Sequence, residues 1–517
     1  MRNLFYKSFL EKPIIHGKSG HTFDMSDTTF STQAEALDAD ALRARFSDCA
    51  DFECRAIWPG QRQREGVYAC WIDGLVSSKN VSEDVLCPLT DAGRLSGTED
   101  TEECVEALLL GAVWACSVRR REKPDEVAND LLHGCCAVVF DSTQKAVSFE
   151  VRSTDSRSIS PPAAEKTIKG AKDAFVETLR TNTSLVRRRL RTPTLKLRQT
   201  VVGRRSGTDV AVLWLEGVAN RDTLEAVLAR LDAIDVDGLT AAGNLEQYIT
   251  DRPGSLFPQL LHTERPDKFA AELLAGRVGI LADGLPLGFL LPAPLPVFLH
   301  VADDRAQHWA VSSLLLLLRW LSMILSMFLP ALFVAAAMYH QEMIPTRMLL
   351  SMIEAKQFVP FSAAVEIVAM LLSFELLMEA GTRLPDPVGD TVSTIGGLIV
   401  GQSAVEAKVV SPISVIVVAA AAICGFTQPS RDLGAALRVL RLGMVLLAVA
   451  FGLFGVMLGA AGLVWYLCTL ESFGVPYTAP MAEDSGFEVL RALVRIPLPM
   501  DKYRERALRT GDRRSQK

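Results

Sequence analysis

The chain is 517 residues long, carries a formal net charge of −6 and has a mean hydropathy of +0.22. This length exceeds what one hydrophobic core supports and predicts about three domains. The acidic balance excludes a chain that binds nucleic acid through a general basic surface. Charged residues are frequent up to residue 300 and scarce over 311–470, so the composition predicts a soluble half followed by a membrane half.

The first 36 residues are polar and lack the apolar core and the small-residue cleavage site of a signal peptide. We expect them to form a flexible N-terminus, and we expect the soluble half to stay in the cytoplasm. The ten cysteines are irregularly spaced and include no Cys-x-x-Cys pair. This pattern is typical of reduced, mostly buried thiols rather than of a disulfide framework or a zinc site.

Alternating short strands and helices over 37–152 predict a first α/β subdomain. The pattern includes a strand that ends at Asp73-Gly74, an amphipathic helix in "TEECVEALLLGAV" and a hairpin in "CCAVVFDSTQKAVSFEV". Residues 153–170 are rich in serine and proline, and we expect them to form a linker.

A second α/β subdomain is predicted over 171–305. We expect a strand around Asp209–Leu215, a helix with one apolar face in "RDTLEAVLARLDAIDV", and a hairpin that turns at Asp283-Gly284. The predicted fold class is thus an α/β cytoplasmic N-terminal region of two subdomains followed by an all-α polytopic membrane domain. That membrane domain is predicted over 306–470 and a C-terminal tail over 471–517.

The membrane domain opens with about 30 apolar residues, enough to cross a hydrocarbon core of about 30 Å, and Pro330 is expected to kink this helix. Further apolar segments follow, and the last is rich in glycine. Basic residues precede that last segment and also fill the tail, and both groups prefer the cytoplasm by the positive-inside rule. Either the last segment forms a hairpin or one of the basic stretches breaks the rule.

No nucleotide-binding or metal-binding motif stands out, so neither a catalytic residue nor a cofactor is predicted. The segment "HQEMIP" at His340–Pro345 holds one histidine and one glutamate. This composition is more typical of a polar loop at the membrane edge than of a metal site.

A basic run without acidic residues reads "TNTSLVRRRLRTPTLKLRQTVVGRR". A run of this kind close to a membrane can contact anionic lipid headgroups or a neighbouring subunit. It can equally be a solvated helix face that pairs with acids elsewhere in the chain. The candidate residues for an assembly or lipid contact are Arg187, Arg188, Arg189 and Arg191.

Several glutamates lie in segments apolar enough for lipid, where an uncompensated carboxylate costs about 3 kcal/mol or more. Glu375 and Glu379 are four residues apart and share one helix face, whereas Glu366 points elsewhere. Glu406 lies in a polar cluster that suits a re-entrant or pore-lining stretch. Because ionisable residues in spans usually mark ion paths, all four are ion-pathway candidates. The alternative is that 361–380 is an amphipathic helix that lies at the interface or against neighbouring subunits.

Six blocks of the sequence resemble, in order, the A subunit of the GerA family of spore germinant receptors. They lie between about Cys70 and Pro480. They read "GAKDAFVETLRTNTSLVRRRLRTPTLK", "FPQLLHTERPDKFAAELLAGRVGILADGLP", "HQEMIP", "FELLMEAGTRLP", "GGLIVGQSAVEA" and "SFGVPYTAP". The family usually has arginine where Met378 stands, so this chain lacks one possible partner for Glu375 or Glu379.

The resemblance implies two cytoplasmic α/β subdomains and a multi-pass region in the inner spore membrane. It implies assembly with a transporter-like B subunit, which binds the nutrient, and with a lipoprotein C subunit. It also implies a homo-oligomer, surrounded by membrane lipids, that forms a nutrient-gated channel for monovalent cations. The resemblance implies neither an enzyme nor a partner in nucleic acid.

Other interpretations remain open at this point. One is a non-conducting membrane scaffold whose cytoplasmic domains recruit partners. Another is the close paralogue associated with dipicolinic-acid release, although "WIDGLVSSKNVSEDVLCPL" looks more like the receptor subunit. A small-molecule transporter is disfavoured because the sequence shows no evident inverted repeat and too few spans.

Overall fold

The computed structural model describes residues 36–516 with several gaps. The gaps are 62–65, 92, 94, 96–99, 114–116, 154–161, 163, 164, 166, 168, 240, 241, 384–400 and 482–485. The predicted flexible N-terminus and much of the predicted linker therefore lie outside the described residues.

Domain 1 is built on a five-stranded sheet in which all neighbouring strands are antiparallel. Its strands are β1 (Phe52–Ala56), β2 (Val67–Ile72), β3 (Val118–Arg121), β4 (Cys135–Phe140) and β5 (Lys145–Glu150). The order across the sheet is β1-β2-β4-β5-β3. The predicted hairpin is confirmed, because Cys135 pairs with Glu150 and Phe140 with Lys145.

Helices cover both faces of the sheet in domain 1. They are α1 (Ala39–Arg45), α2 (Ser78–Asn80), α3 (Cys87–Thr90), α4 (Thr101–Ala107) and α5 (Pro124–Leu132). Side chains alternate along a strand, so Val67 and Trp71 of β2 enter one core whereas Cys70 and Ile72 enter the core beneath α1 and α5.

Domain 2 repeats this architecture. Its strands are β6 (Leu195–Val202), β7 (Thr208–Leu215), β8 (Leu261–Thr263), β9 (Val278–Ala282) and β10 (Gly288–Leu291). Its helices are α6 (Leu179–Arg189), α7 (Arg221–Asp232), α8 (Leu245–Ile249) and α9 (Pro266–Ala275). The strand order β6-β7-β9-β10-β8 matches that of domain 1 position by position, and all pairs are again antiparallel. The predicted strand, helix and hairpin of this region are confirmed as β7, α7 and β9–β10.

The helical half follows domain 2. Its helices are α10 (Trp309–Met338), α11 (Thr346–Lys356), α12 (Ala363–Arg383), α13 (Pro412–Phe426) and α14 (Arg431–Thr469). The tail adds β11 (Glu471–Ser472), β12 (Val475–Pro476) and α15 (Gly486–Leu493). In the described ranges, α10 and α14 are the two helices that are long and apolar enough to cross a bilayer.

α14 is a helical hairpin, because Gly452 has φ 60° and ψ −140° and breaks the helix between residues 431–451 and 453–469. The two arms pack closely, since a methyl group added at Gly459 would lie 2.6 Å from Met444 Sδ. At the tip, a methyl group on Gly452 would lie 3.0 Å from the ring of Tyr339, at the far end of α10. α10 itself is one helix through Pro330.

Both ends of this hairpin lie against domain 2. Asp432, at the start of α14, accepts a hydrogen bond from His262 Nδ1 at 3.0 Å. Thr469, at its end, has Arg252 Nη1 3.5 Å from its hydroxyl oxygen. The tail then returns to domain 2, where Ser472 Oγ donates to the carbonyl of Gln259 at 2.8 Å. The hairpin alternative from the sequence is therefore the one that the structure adopts.

Candidate functional site

The basic run begins with a buried residue. Arg187 is 1 % exposed, and its Nε and Nη2 donate to the two carboxylate oxygens of Asp51 at 2.7 and 2.8 Å. Its Nη1 donates to the carbonyl of Leu195 at 2.7 Å. Asp51 belongs to domain 1, so this bidentate pair joins the two α/β domains. Arg187 is consequently not available for the predicted lipid or subunit contact.

Backbone hydrogen bonds reinforce the same junction. Ala50 N donates to Leu197 O at 2.8 Å, and Leu197 N donates to Asp48 O at 2.9 Å, so the segment before β1 extends along β6. Lys196 Nζ donates to the carbonyl of Arg45 at 3.2 Å. Part of the basic run thus docks domain 2 onto domain 1.

The other arginines of the run face outward to different degrees. Arg189 is exposed and pairs with Asp173 at 2.5 Å, within domain 2. Arg188 is half-buried and donates weakly to the carbonyl of Ser153 at 3.4 Å. Arg191 is exposed, and its Nε donates to the carbonyl of Arg188 at 3.2 Å. Arg188, Arg189 and Arg191 remain predicted contact residues.

A buried ion pair marks the entry of α10. Arg319 Nη1 and Nη2 donate to Asp304 Oδ2 and Oδ1 at 2.6 and 3.0 Å, and Nη1 also donates to Leu299 O at 3.0 Å. The bidentate geometry gives this pair both strength and direction. It ties the first helix of the apolar half to the segment that leaves domain 2.

A group of titratable side chains lies where domain 2 meets the start of α14. The hydrogen bond to Asp432 raises the pKa of His262. Burial raises the pKa of Glu246 to about 7, and the nearby charge of Asp432 adds to this effect. Protonation near neutral pH therefore changes the charge at this contact.

Glu366 occupies a closed polar site. Its Oε2 accepts hydrogen bonds from Ser411 N and Ser414 Oγ, both at 2.8 Å, at the N-terminal end of α13. Its Oε1 lies 3.1 Å from Lys356 Nζ, an ion pair without the alignment of a hydrogen bond. The carboxylate is fully buried, so it stabilises a helix start and faces no open path within this chain.

Glu375 is paired with two arginines of α14. Its Oε1 accepts from Arg441 Nη2 at 2.7 Å, and its Oε2 accepts from Arg438 Nη1 at 3.2 Å. Arg441 is 2 % exposed, whereas Arg438 and Glu375 are 40 % and 35 % exposed. A cavity of about 280 Å³ opens beside the three side chains, between α12 and α14. Glu375 thus has its charge partners on another helix, although Met378 offers none on α12.

The remaining two candidates are exposed. Glu379 lies one helical turn beyond Glu375 on α12. Glu406 accepts a hydrogen bond from Gln402 Nε2 at 2.8 Å within the helical residues 401–406. The structure therefore separates the four glutamates into one buried, one paired with arginines and two exposed side chains.

Sequence reasoning missed Arg438, Arg441 and Asp304 as partners. One signal was available, because arginines three apart on an apolar helix share a face and need an acid opposite them. The identity of that acid was not readable, since Glu375 lies 63 and 66 residues before its two partners. In the part of the chain that the structure describes, no group of His, Cys, Asp or Glu could hold a metal ion.

Comparison with known families gives a match over most of the chain. Residues 40–507 match the family model described as Bacillus/Clostridium GerA spore germination protein. Spore germination protein B1 of Bacillus subtilis is 36 % identical over 441 residues, which cover 85 % of this chain and 90 % of that protein. Spore germination protein KA of the same organism is 34 % identical over 465 residues, which cover 90 % and 85 %.

Further relatives come from other species. Spore germination protein GerLA of Bacillus cereus is 34 % identical over 446 residues, covering 86 % of this chain and 89 % of that one. Among solved structures, the N-terminal domain of the A subunit of the Bacillus megaterium spore germinant receptor GerK3 is 26 % identical. That match covers 49 % of this chain and 92 % of the solved chain, with a TM-score of 0.39.

Proposed function

Because the chain belongs to the GerA family of spore germination proteins, we propose that it is the membrane subunit of a nutrient-sensing germination receptor. In this proposal several copies assemble into a germinant-gated channel for monovalent cations. A transporter-like B subunit and a lipoprotein C subunit complete the receptor in the inner spore membrane.

The proposed topology follows from the hairpin. In this proposal α10 and the two arms of α14 cross the bilayer, the chain returns to the cytoplasmic side between α10 and α14, and both α/β domains lie on that side. Folding at Gly452 returns the end of α14 to domain 2, so the basic start of α14 and the basic tail lie on one side. The positive-inside rule is then satisfied by both basic stretches.

The observation that carries the channel proposal is the half-exposed charge cluster of Glu375 and Arg438 on the outside of an apolar helical bundle. Lipid does not solvate such side chains, so water or a neighbouring subunit must cover them. The apolar windows of α10 and α14 are each only one-third buried within this chain, which leaves ample surface for neighbouring copies. A symmetric ring of copies would enclose a hydrated path beside these charges.

The cation preference is assigned in this proposal to Glu379 and Glu406. Glu375 is held between Arg438 and Arg441 of α14, and Glu366 is closed off at the start of α13, so neither side chain is as exposed as Glu379 or Glu406. Glu379 and Glu406 are exposed on helices of the apolar half. Rings of such carboxylates concentrate cations and exclude anions.

The test uses the single variants Glu379→Gln and Glu406→Gln, which keep shape and remove charge. Glu354→Gln is the matched control, because Glu354 is an exposed glutamate of the short helix α11. Germinant-triggered potassium release from spores and cation flux in proteoliposomes are measured alongside protein abundance. We expect at least one of the first two variants to conduct poorly at normal abundance, while the control conducts normally.

Two results would replace the channel proposal. Absence of flux from proteoliposomes that hold the intact receptor would favour the non-conducting scaffold. Loss of dipicolinic-acid release from spores, with potassium release preserved, would favour the paralogue. Normal flux in both glutamine variants would remove Glu379 and Glu406 from the ion path.

A further inference from the structure

Two cysteines of domain 1 face each other across neighbouring strands. Cys54 of β1 is the register partner of Cys70 of β2, and their Sγ atoms lie 2.8 Å apart. Asp73 N donates to Asp51 O and Ile57 N donates to Val67 O. Because hydrogen-bonded pairs recur at every second residue of an antiparallel pair, they fall on the odd-numbered residues here and not on residue 54. Cys54 and Cys70 therefore form a non-hydrogen-bonded pair, the kind that brings side chains closest together.

The surroundings give the two thiols different roles. Cys54 lies on the edge strand and is partly exposed, whereas Cys70 is fully buried. The hydrogen bond from Cys70 lowers the pKa of Cys54, and Arg43 nearby acts in the same direction. The same bond and burial raise the pKa of Cys70. An accessible thiol of lowered pKa beside a resolving thiol is the usual arrangement of a redox-sensitive pair.

We propose that Cys54 and Cys70 are a reversible disulfide site that closes by exchange with the disulfide of a low-molecular-weight thiol. The Cys54 thiolate attacks one sulfur of that disulfide, forms a mixed disulfide and releases one thiolate. The Cys70 thiolate then attacks Cys54 Sγ and releases the second thiolate. The two protons lost by the cysteines pass to the two released thiolates, so one disulfide is reduced as one is formed.

The site is placed where its closure has a structural effect. The segment just before β1 carries Asp51, the buried partner of Arg187, and bonds along β6 of domain 2. A covalent link between β1 and β2 would hold this edge strand in place next to the domain junction. This proposal is independent of ion conduction, since it concerns domain 1 alone.

The test treats membranes that hold the full-length chain with oxidised glutathione, then blocks free thiols with N-ethylmaleimide and digests with trypsin. Cys54 lies in peptide 46–55, which also contains Cys49, and Cys70 lies in peptide 65–79. We expect a 46–55/65–79 pair that dithiothreitol separates. The pair should vanish in Cys54→Ser and Cys70→Ser and persist in Cys49→Ser and in Cys87→Ser, an exposed-cysteine control.

A second measurement follows the backbone. Hydrogen exchange of residues 52–56 should slow on oxidation of the wild-type chain and stay unchanged in Cys54→Ser, which alters only an edge position. Wild-type chain in which Cys54 is alkylated or keeps a glutathione adduct, with no linked peptide, would overturn the proposal. A linked peptide that survives in Cys54→Ser would assign the bond to Cys49 and overturn it equally.

Discussion

Domain 1 and domain 2 carry the same helix and the same strand at the same place in their sheets. α5 and β4 read "PDEVANDLLHGCCAVVFD", and α9 and β9 read "PDKFAAELLAGRVGILAD", without a gap between the two. Both helices begin with proline, and both are followed by a glycine at positive φ, Gly134 at 83° and Gly276 at 104°. The two domains thus share this repeat of helix, glycine and strand as well as a strand order.

The aspartate at the end of each repeat does the same structural work. Asp141 Oδ1 accepts from Ala39 N at the start of α1, and Asp283 Oδ1 accepts from Leu179 N at the start of α6, both at 2.9 Å. Each carboxylate satisfies a backbone donor that the helix itself leaves unpaired. The shared residues therefore maintain the shared fold.

The buried acid of the repeated helix is used differently in the two domains. Asp130 pairs with Arg121 of its own domain at 2.8 Å. The equivalent Glu272 pairs with Arg277 and with Arg305, at the approach to α10, and Arg277 also contacts Glu505 of the tail. The buried acid of this helix is therefore linked to the approach to α10 and to the tail in domain 2, whereas its equivalent Asp130 pairs within domain 1.

The largest expected effect comes from breaking the pair that joins the domains. Arg187→Leu would leave Asp51 buried without its partner, which costs about 3–5 kcal/mol. We expect a large fall in the thermal unfolding temperature of the purified chain and faster proteolysis between the domains. Arg191→Leu, at an exposed position, is the control and should change stability by less than about 0.5 kcal/mol. Equal stability of the two variants would refute a structural role for the Arg187–Asp51 pair.

A smaller effect is expected at the repeated glycines. Alanine at Gly134 or Gly276 must adopt a left-handed backbone, at a cost of about 1–2 kcal/mol. A methyl group at Gly276 would also lie 2.3 Å from Thr510 Cγ2 of the tail, whereas at Gly134 it would lie 3.0 Å from Leu75 O. We therefore expect Gly276→Ala, and not Gly134→Ala, to expose the tail to proteolysis. Tail cleavage at the same rate in both would show that the tail does not depend on domain 2.

Replacing Asp141 and Asp283, which accept hydrogen bonds at the starts of α1 and α6, should have smaller effects on stability. α1 already has a capping side chain, because Asp38 accepts from Ala41 N, whereas α6 has no side-chain cap from Thr178. Asp283→Ala should therefore cost about 1 kcal/mol and Asp141→Ala less, as measured by denaturant unfolding. A larger loss in Asp141→Ala would mean that the two carboxylates do not perform equivalent work.

The smallest effect concerns pH at the contact between domain 2 and α14. His262 and Glu246 both bind protons more tightly when folded, so each stabilises the fold more at low pH. The stability that Glu246 contributes should fall as pH rises towards about 7. The stability that His262 contributes should be lost as pH rises above the pKa of this histidine in the unfolded chain. Unfolding temperature measured between pH 5 and pH 8 should therefore decline less steeply in His262→Gln. An identical slope would exclude this histidine as a titrating contact.

Local patterns in the sequence were sufficient for the α/β elements. Alternation and turn residues predicted the hairpins β4–β5 and β9–β10, and helical spacing predicted α7, because each signal lies within about 20 neighbouring residues. The repeated helix that begins with proline can also be recognised in the sequence, since the two segments align without gaps. Alignment of the chain with itself is therefore enough to detect the repeated helix and strand.

The long-range pairs could not be predicted in this way. Asp51 precedes Arg187 by 136 residues, and charge alone does not select one acid among many. For a similar reason, the sequence could not decide between a hairpin at Gly452 and a basic stretch that breaks the positive-inside rule. Several glycines occur in α14, and the sequence does not show that Tyr339 of another helix packs against this one.

The central claim is that domain 2, unlike domain 1, is coupled to α10 and α14 of the helical half. Asp304→Asn and Asp130→Asn test it most directly, because both aspartates are 6 % exposed and each pairs bidentately with one arginine. Germinant-triggered potassium release is measured from spores that contain equal amounts of each variant. We predict that release falls sharply in Asp304→Asn, where the contact at the entry of α10 is lost, and stays near normal in Asp130→Asn. Normal release in Asp304→Asn, or an equal loss in both variants, would contradict the claim.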